Sequence, residues 1–192
     1  MGDGAVTSPP PASVIALSGS LRAQSSNAAL LRAAIALAPP ALAITYDDQS
    51  IGTLPHFSPD LDTAEPPAAV RAFRERLAAA EGVIICSPEY AHGVPGALKN
   101  ALDWIVSSGE LMNKPVLLLN ASPAGGQYAQ AALTATLTVM SAAVLPESLS
   151  APFLRSKLDG RMPLDAAAEA RLKTSLAALG AAIAAQRAAA ER

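Results

Sequence analysis

A short apolar segment followed by a loop rich in proline and glycine most limits the folds open to this chain. Residues 82–86 read Gly-Val-Ile-Ile-Cys, and β-branched runs of this kind are buried on both faces of parallel sheets. The loop at residues 87–95 then leads into an amphipathic helical segment. Ligands of open α/β sheets bind beyond the carboxyl ends of the strands, where such loops lie. The segment therefore predicts an α/β fold with a binding loop after this strand.

Apolar runs and helical patterns alternate along the rest of the chain. Further strands are predicted at residues 14–17, 43–46, 116–119 and within 144–152. Helices are predicted at residues 28–38, from 66–67 to about 80, from about 128, and from 165 to about 187. This alternation predicts a doubly wound parallel sheet with helices on both faces.

The loop after the first strand, residues 18–27, has the composition of a phosphate site. Gly19 favours a tight turn, Arg22 adds a planar cation, and the helix that follows presents unpaired N–H groups at its positive end. Four hydroxyls can donate hydrogen bonds: those of Ser18, Ser20, Ser25 and Ser26. A serine before a helix is also an ordinary N-cap, but one cap needs one such residue.

A third loop, residues 120–126, follows the strand at 116–119 and ends in two adjacent glycines, Gly125 and Gly126. Adjacent glycines let a planar ring approach the main chain and its amides. Alone such a pair is more typical of a turn. Its position after a strand, like that of the other two loops, favours a site.

Together these loops resemble the NADPH-dependent FMN reductase family, which includes quinone, azo-dye and chromate reductases. The first loop matches that family at Gly19, Ser20, Leu21, Arg22, Ser25 and Asn27. The second matches at Pro88, Glu89, Tyr90, Pro95, Gly96, Leu98, Lys99, Asn100, Ala101, Asp103 and Trp104. Ala91 stands where the family usually has Asn, which removes a side chain that could contact the flavin.

The resemblance implies a flavodoxin-like, five-stranded parallel sheet of order 2-1-3-4-5 with FMN as cofactor. NADPH or NADH would donate hydride to the flavin, which would pass two electrons to a quinone, flavin, azo or similar acceptor in a ping-pong cycle. The nicotinamide would stack on the exposed flavin face, so no separate dinucleotide domain is needed. The chemistry would belong to FMN, with no catalytic side chain.

The resemblance also assigns cofactor-binding residues. The phosphate and ribityl end would be held by Ser20, Arg22, Ser25, Ser26 and Asn27. The ring would be lined by Pro88, Glu89, Tyr90, Ala91 and His92, with Ser122, Gly125 and Gly126 on its other border.

Composition limits the other partners. With 14 basic and 16 acidic residues, the formal net charge of −2 provides no basic field for nucleic acid or an anionic membrane. A length of 192 residues suits one domain, predicted at residues 13–188 after a disordered tail at residues 1–12. The tail lacks the pattern of a secretion signal, and the single Cys86 suits a reducing compartment, so we expect a cytoplasmic protein.

No charged residue occurs between Lys114 and Glu147. Polar and glycine residues interrupt this stretch, which argues against a membrane span. A surface helix of a monomer normally carries charges on its outer face, so we expect another subunit to cover this one. The resemblance implies a homodimer or homotetramer formed through the same region. Leu137 and Met140 are the positions where we expect a carboxylate to disrupt the assembly or the fold.

Several residues with reactive side chains have simpler interpretations. His56 and His92 lack partners at ligand spacing, so no metal site is predicted. Cys86 is expected to be a core residue rather than a redox nucleophile. Glu89 is expected to hold its loop by hydrogen bonds rather than to transfer protons. Two further side-chain roles are expected: an ion pair of Lys99 with Asp103, and a core or interface position for Trp104.

Two other functions share this predicted fold. A flavodoxin-like module would carry electrons between protein partners without an enzymatic reaction. Flavodoxins typically have a strongly acidic docking face and a phosphate loop without Arg, which the net charge and Arg22 do not match. A third hypothesis is a ligand-binding protein that has lost its flavin.

Overall fold

Four fully formed parallel strands make the centre of the fold. The computed structural model describes residues 9–47, 50–122, 125–151 and 164–192. Its strands are β1 (Ala12–Ser18), β2 (Leu42–Asp47), β3 (Gly82–Cys86) and β4 (Pro115–Asn120). They lie in the order β2-β1-β3-β4 with every pairing parallel. The predicted order 2-1-3-4-5 and the flavodoxin-like architecture are confirmed.

The fifth position of the sheet is divided between two short strands. β5 (Ala143–Val144) pairs with the start of β4, and β6 (Leu149–Ser150) pairs with its end. Pro146 lies between them and has no N–H group to donate to a sheet. The single strand predicted within residues 144–152 is therefore interrupted where its backbone cannot donate.

Helices cover both faces of the sheet, as predicted. They are α1 (Ser26–Ala36), α2 (Ser50–Thr53), α3 (Ala68–Ala79), α4 (Gly96–Asp103), α5 (Gln127–Val139) and α6 (Ala166–Ala190). Buried residues of α1 and α6 share one core cluster with one side of the strands. Those of α2, α3, α4 and α5 share a second cluster with the other side.

Capping residues set where two of these helices begin. The Ser25 hydroxyl accepts a hydrogen bond from the Ala28 N–H, so α1 begins at residue 26 rather than at the predicted residue 28. Asp165 caps α6 in the same way, 2.7 Å from the Ala168 nitrogen. A side-chain oxygen one residue before a helix satisfies an N–H group that has no partner within the helix.

The N-terminal edge of the sheet is joined to α6 by an ion pair. The Arg187 guanidinium donates to both carboxylate oxygens of Glu81 and to the Pro10 carbonyl. Glu81 also accepts from the Ser13 N–H, and the hydrogen bond from Arg187 holds the pKa of its carboxyl below the usual value. Residues 1–8 of the predicted tail at residues 1–12 lie outside the described residues. The last residue of that tail, Ala12, is the first residue of β1.

Trp104 lies in the core beneath the segment that connects α2 to α3. It is fully buried, its Nε1 donates to the Pro55 carbonyl at 2.8 Å, and its ring meets Phe57 edge to face. Asn100 supports the same loop, donating to Pro55 and accepting from the Phe57 N–H. The expected core role of Trp104 is confirmed, and the loop is shaped by residues from α4.

Helix α5 has one core face and one exposed face. Leu133 and Leu137 are fully buried and Met140 is 8% exposed, whereas Val139 is 84% exposed and Tyr128 50% exposed. Leu137 and Met140 therefore belong to the core of the subunit, and a charge there tests the fold rather than the assembly. None of the described helices has the length and apolar character needed to cross a membrane.

Leu137→Glu should abolish cooperative folding, because a carboxylate without a partner in the core costs several kcal/mol. Val139 lies two residues further along the helix, on its exposed face. Val139→Glu should therefore keep the parental circular dichroism and a free energy of unfolding within about 1 kcal/mol of the parent. If the parent sediments as a dimer or larger, Val139→Glu should favour smaller species. A parental melting curve for Leu137→Glu would contradict this assignment of faces.

Candidate functional site

Three loops meet at one edge of the sheet because β1, β3 and β4 are neighbours and run in the same direction. Backbone hydrogen bonds connect the loops in order. The Gly19 N–H donates to the Cys86 carbonyl at 2.8 Å, and the Ser87 N–H donates to the Leu119 carbonyl at 3.1 Å. The loops that the sequence singled out thus form one continuous surface at the carboxyl edge of the sheet.

Gly19 brings the first and second loops into direct contact. A Cβ atom at this position would lie 2.8 Å from the Ser87 hydroxyl and 3.0 Å from a Leu98 methyl group. A larger residue at this position would require Ser87 or Leu98 to shift. The sequence analysis expected Gly19 to permit a turn, and the structure adds that it permits this approach.

Asn27 connects all three loops from inside. Its side chain is 5% exposed, and its Oδ1 accepts hydrogen bonds from the Ala121 N–H at 3.1 Å and from the Cys86 thiol at 3.2 Å. Burial raises the pKa of that thiol, so the thiol keeps the proton that it donates. Cys86 is a core residue, as expected. Asn27 has a structural role in addition to the phosphate contact predicted for it.

The first loop is shaped by its own serines. The Ser18 hydroxyl accepts from the Ser20 N–H, the Ser20 hydroxyl accepts from the Arg22 N–H, and Ser25 caps α1. The first turn of α1 contains no acidic residue, so the positive end of the helix is not neutralised there. Arg22, four residues before α1, has an exposed side chain that forms no ion pair within the described part of the chain. This arrangement suits a phosphate group.

The second loop turns sharply at Ala91 and His92. Both have positive φ, 48° and 58°, and two backbone hydrogen bonds between Tyr90 and Gly93 close the turn. Turns with two central residues of positive φ favour Asn and Gly, because a Cβ atom strains this backbone. Ala91 stands where the resembled family usually has Asn, so the departure has a backbone consequence in addition to any lost flavin contact.

Glu89 joins the second loop to α5. Its Oε2 accepts from the Tyr128 and Ala129 N–H groups at 2.8 and 2.9 Å, which caps a helix whose own N-cap residue, Gly126, has no side chain. The His92 ring stacks on the Tyr128 ring with centroids 4.3 Å apart. Glu89 is a hydrogen-bonding residue, as expected, although it holds the neighbouring helix rather than only its own loop.

The third loop is organised by the buried Asn120. Its Oδ1 accepts from the Ser122 N–H at 2.6 Å, and its Nδ2 has no hydrogen-bond partner among the described atoms. Gly126, at φ 61°, lies against this amide, and a Cβ atom there would be 1.9 Å from Nδ2. Gly125, at φ 85°, faces open space. Residues 123–124 of this loop lie outside the described residues.

These residues fit the flavin mononucleotide that the sequence resemblance implied. The first loop offers a helix N-terminus, hydroxyl groups and a guanidinium at one end of the surface. The open space at Gly125 and the exposed Tyr90 and His92 lie towards the other end. The sequence analysis missed Asn120 and Tyr128. Asn120 directly follows the apolar run of β4, which was a usable signal, whereas the stacking of Tyr128 depends on the turn of another loop.

Comparisons with known proteins identify relatives along most of the chain. The family model described as NADPH-dependent FMN reductase matches residues 12–154. An NAD(P)H-dependent FMN reductase of Pseudomonas aeruginosa is 40% identical over 111 residues, which cover 57% of this chain and 59% of that protein. A quinone reductase of Escherichia coli is 35% identical over 153 residues, covering 76% of this chain and 80% of that protein.

A solved structure agrees with the fold. It is FerB, a flavoenzyme NAD(P)H:(acceptor) oxidoreductase from Paracoccus denitrificans, with a TM-score of 0.78 and 28% identity. The match covers 88% of this chain and 96% of that one. The family model, at residues 12–154, spans the three loops described above.

Ala91→Asn should stabilise the protein by about 0.5–1 kcal/mol, because Asn tolerates positive φ better than Ala. We expect the melting temperature to rise by about 1–3 °C. The control Ala78→Asn, at an exposed position of α3, should instead lower stability slightly because Asn is a weaker helix former. A lower melting temperature for Ala91→Asn would show that this turn is not strained.

Proposed function

Since the chain belongs to the NADPH-dependent FMN reductase family, we propose that it oxidises NAD(P)H and reduces a quinone, a free flavin, an azo compound or a similar small acceptor. Membership makes it an oxidoreductase with FMN as its cofactor and NAD(P)H as its donor. For a quinone, NAD(P)H gives up a hydride and becomes NAD(P)⁺, and together with one proton from solvent that hydride gives the quinone its two electrons and two protons. When bound, FMN supplies the N5 atom, which takes up hydride, and the ring, which returns both electrons, so that donor and acceptor can use one face of the flavin in turn.

The observation that carries this proposal is the joining of three loops at the carboxyl ends of β1, β3 and β4. Asn27 fixes their relative positions through Ala121 and Cys86. A phosphate-type loop at one end and a glycine facing open space at the other suit a cofactor that is anionic at one end and flat at the other.

The roles proposed for individual residues follow this geometry. Ser20, Arg22, Ser25, Ser26 and Asn27 bind the phosphate and ribityl end. Pro88, Glu89, Tyr90, Ala91 and His92 line the ring, and Ser122, Gly125 and Gly126 form its other border. Glu89 positions the second loop by capping α5. Glu89 already accepts hydrogen bonds from two N–H groups in the first turn of that helix. N–H groups that stabilise negative charge on the flavin ring must therefore come from the loops themselves.

No side chain of the loops needs to supply the acceptor's protons. The turn at Tyr90, Ala91 and His92 is exposed, and Tyr90 is 54% exposed, so water reaches this edge of the site. The buried Cys86 has its thiol directed at Asn27 rather than at the surface. We therefore assign proton delivery to solvent and substrate positioning to the loops.

We further propose that a second copy of the chain covers the exposed face of α5. The large apolar side chains that are at least half exposed include Tyr128 and Val139 of α5, together with Val106 and Met112 from the segment after α4. Exposed apolar groups of this size favour burial in an oligomer, either a dimer or a tetramer. A cytoplasmic location would suit the need for a supply of NAD(P)H.

The alternative with the same fold is a flavodoxin-like electron carrier. The net charge of −2 provides little of the acidic surface that steers such carriers to their partners. Anaerobic spectra distinguish the two functions. We expect NADPH to bleach the flavin of the purified protein and added quinone to restore its colour, whereas a carrier would stay oxidised without a partner reductase.

Arg22→Ala should weaken FMN binding about tenfold to a hundredfold, the size expected for one charge-assisted hydrogen bond. Riboflavin lacks the phosphate, so the parent should bind it much more weakly than FMN, and Arg22→Ala should hardly change its affinity. Fluorescence titration of the apoprotein measures all four affinities. Equal affinity of the parent for FMN and riboflavin would show that the first loop is not a phosphate site.

Steady-state lines should be parallel when the acceptor is varied at several NAD(P)H concentrations, because one site serves both substrates in turn. With FMN saturating, Cys86→Ser, His92→Ala and Glu89→Gln should each keep measurable turnover. Gly126→Val should lose it, since its side chain would collide with Asn120 and strain the loop. Intersecting lines, or complete loss of turnover in flavin-loaded Cys86→Ser, would contradict the mechanism.

A further inference from the structure

A cavity lies beside the first loop, on the side of β2. Its volume is about 400 Å³, and its walls include Ser20 and Arg22 of the loop, Arg32 of α1, Tyr46 of β2 and Thr53 of α2. Ser25, Ser26 and Asn27 do not line it. The cavity is therefore adjacent to the proposed FMN phosphate site but separate from its helix-capping residues.

The walls of this cavity are positively charged. Arg22 and Arg32 both line it, and among the residues that the structure describes no Asp or Glu lines it and neither arginine forms an ion pair. Asp47, which follows Tyr46 in β2, accepts a hydrogen bond from Arg76 at 3.1 Å. Two such cations at one cavity are notable in a chain whose formal net charge is −2. The cavity is suited to an anion with more than one negative charge.

An aromatic side chain holds one of these cations. The Arg32 guanidinium carbon lies 5.8 Å from the centroid of the Tyr46 ring, within the range of a cation–π contact. This contact restricts the long Arg32 side chain before any ligand arrives, which lowers the entropy lost on binding. The cavity therefore combines a partly ordered guanidinium with an aromatic wall.

We propose that this cavity binds the 2′-phosphoadenosine end of NADPH, with Arg32 as the residue that selects NADPH over NADH. The proposal rests on the function proposed above, in which NAD(P)H is the donor. A dinucleotide is longer than FMN, so one whose nicotinamide reaches the ring can extend past the FMN phosphate to the neighbouring cavity. There the 2′-phosphate, which NADH lacks, accepts hydrogen bonds from Arg32.

Calorimetry on the FMN-loaded protein tests the cavity without any turnover. Adenosine 2′,5′-bisphosphate and 5′-AMP are suitable probes because they differ only in the 2′-phosphate. The parent should bind the bisphosphate at least about tenfold more tightly than 5′-AMP, the size of one charge-assisted hydrogen bond. Arg32→Gln should remove most of this difference, whereas the control Arg71→Gln, exposed on α3, should keep it.

Kinetics and flavin affinity complete the test. The ratio of kcat/KM for NADPH to that for NADH should fall about tenfold in Arg32→Gln and stay parental in Arg71→Gln. Equal affinity of the parent for both probes, or an equal loss with both donors, would overturn the proposal. So would a tenfold loss of FMN affinity in Arg32→Gln, which would assign the cavity to the FMN phosphate. A protein that shows the expected probe binding but oxidises neither donor supports the cavity assignment and refutes only the proposed activity.

Discussion

The side-chain oxygen of Asn27 is the contact on which the site depends, because it fixes three separate segments at once. It lies at the start of α1 and accepts hydrogen bonds from β3 through Cys86 and from the loop after β4 through Ala121. A buried carbonyl oxygen with two donors is well satisfied, whereas removal of it would leave the Ala121 N–H without this partner. The three loops are thus positioned by a residue inside the sheet edge rather than by contacts at the surface.

Around this contact, the second and third loops support each other through α5. Glu89 supplies the cap that Gly126 cannot provide, and Asn120 fills the space that any side chain at Gly126 would need. The strained turn at Ala91 and His92 brings the His92 ring onto Tyr128 of the same helix. The backbone strain at this turn is of the kind that persists where surrounding contacts determine the conformation, which is common at binding sites.

Electrostatics in this protein are local rather than global. The chain has almost balanced charge, and within its described ranges most ion pairs join different segments of the chain, as Glu81 does with Arg187 at the N-terminal edge of the sheet. At the carboxyl edge, by contrast, Arg22 and Arg32 line a cavity whose described walls include no carboxylate. Unpaired cations near a helix N-terminus favour anionic ligands over a short range, and at physiological ionic strength that range is about 8 Å.

The sequence by itself determined the sheet, its flanking helices and the three loops, because buried runs, helical periodicity and glycine positions are local properties of the chain. It also indicated that Cys86 and Trp104 are core residues. It did not determine that Asn27 holds the loops together, that Glu89 caps another helix, that Leu137 faces the core, or that Arg32 shares a cavity with Arg22. Those features depend on contacts between segments distant in sequence, up to 94 residues apart for Asn27 and Ala121. Only the tertiary structure decided them, since local patterns do not specify which segments come together.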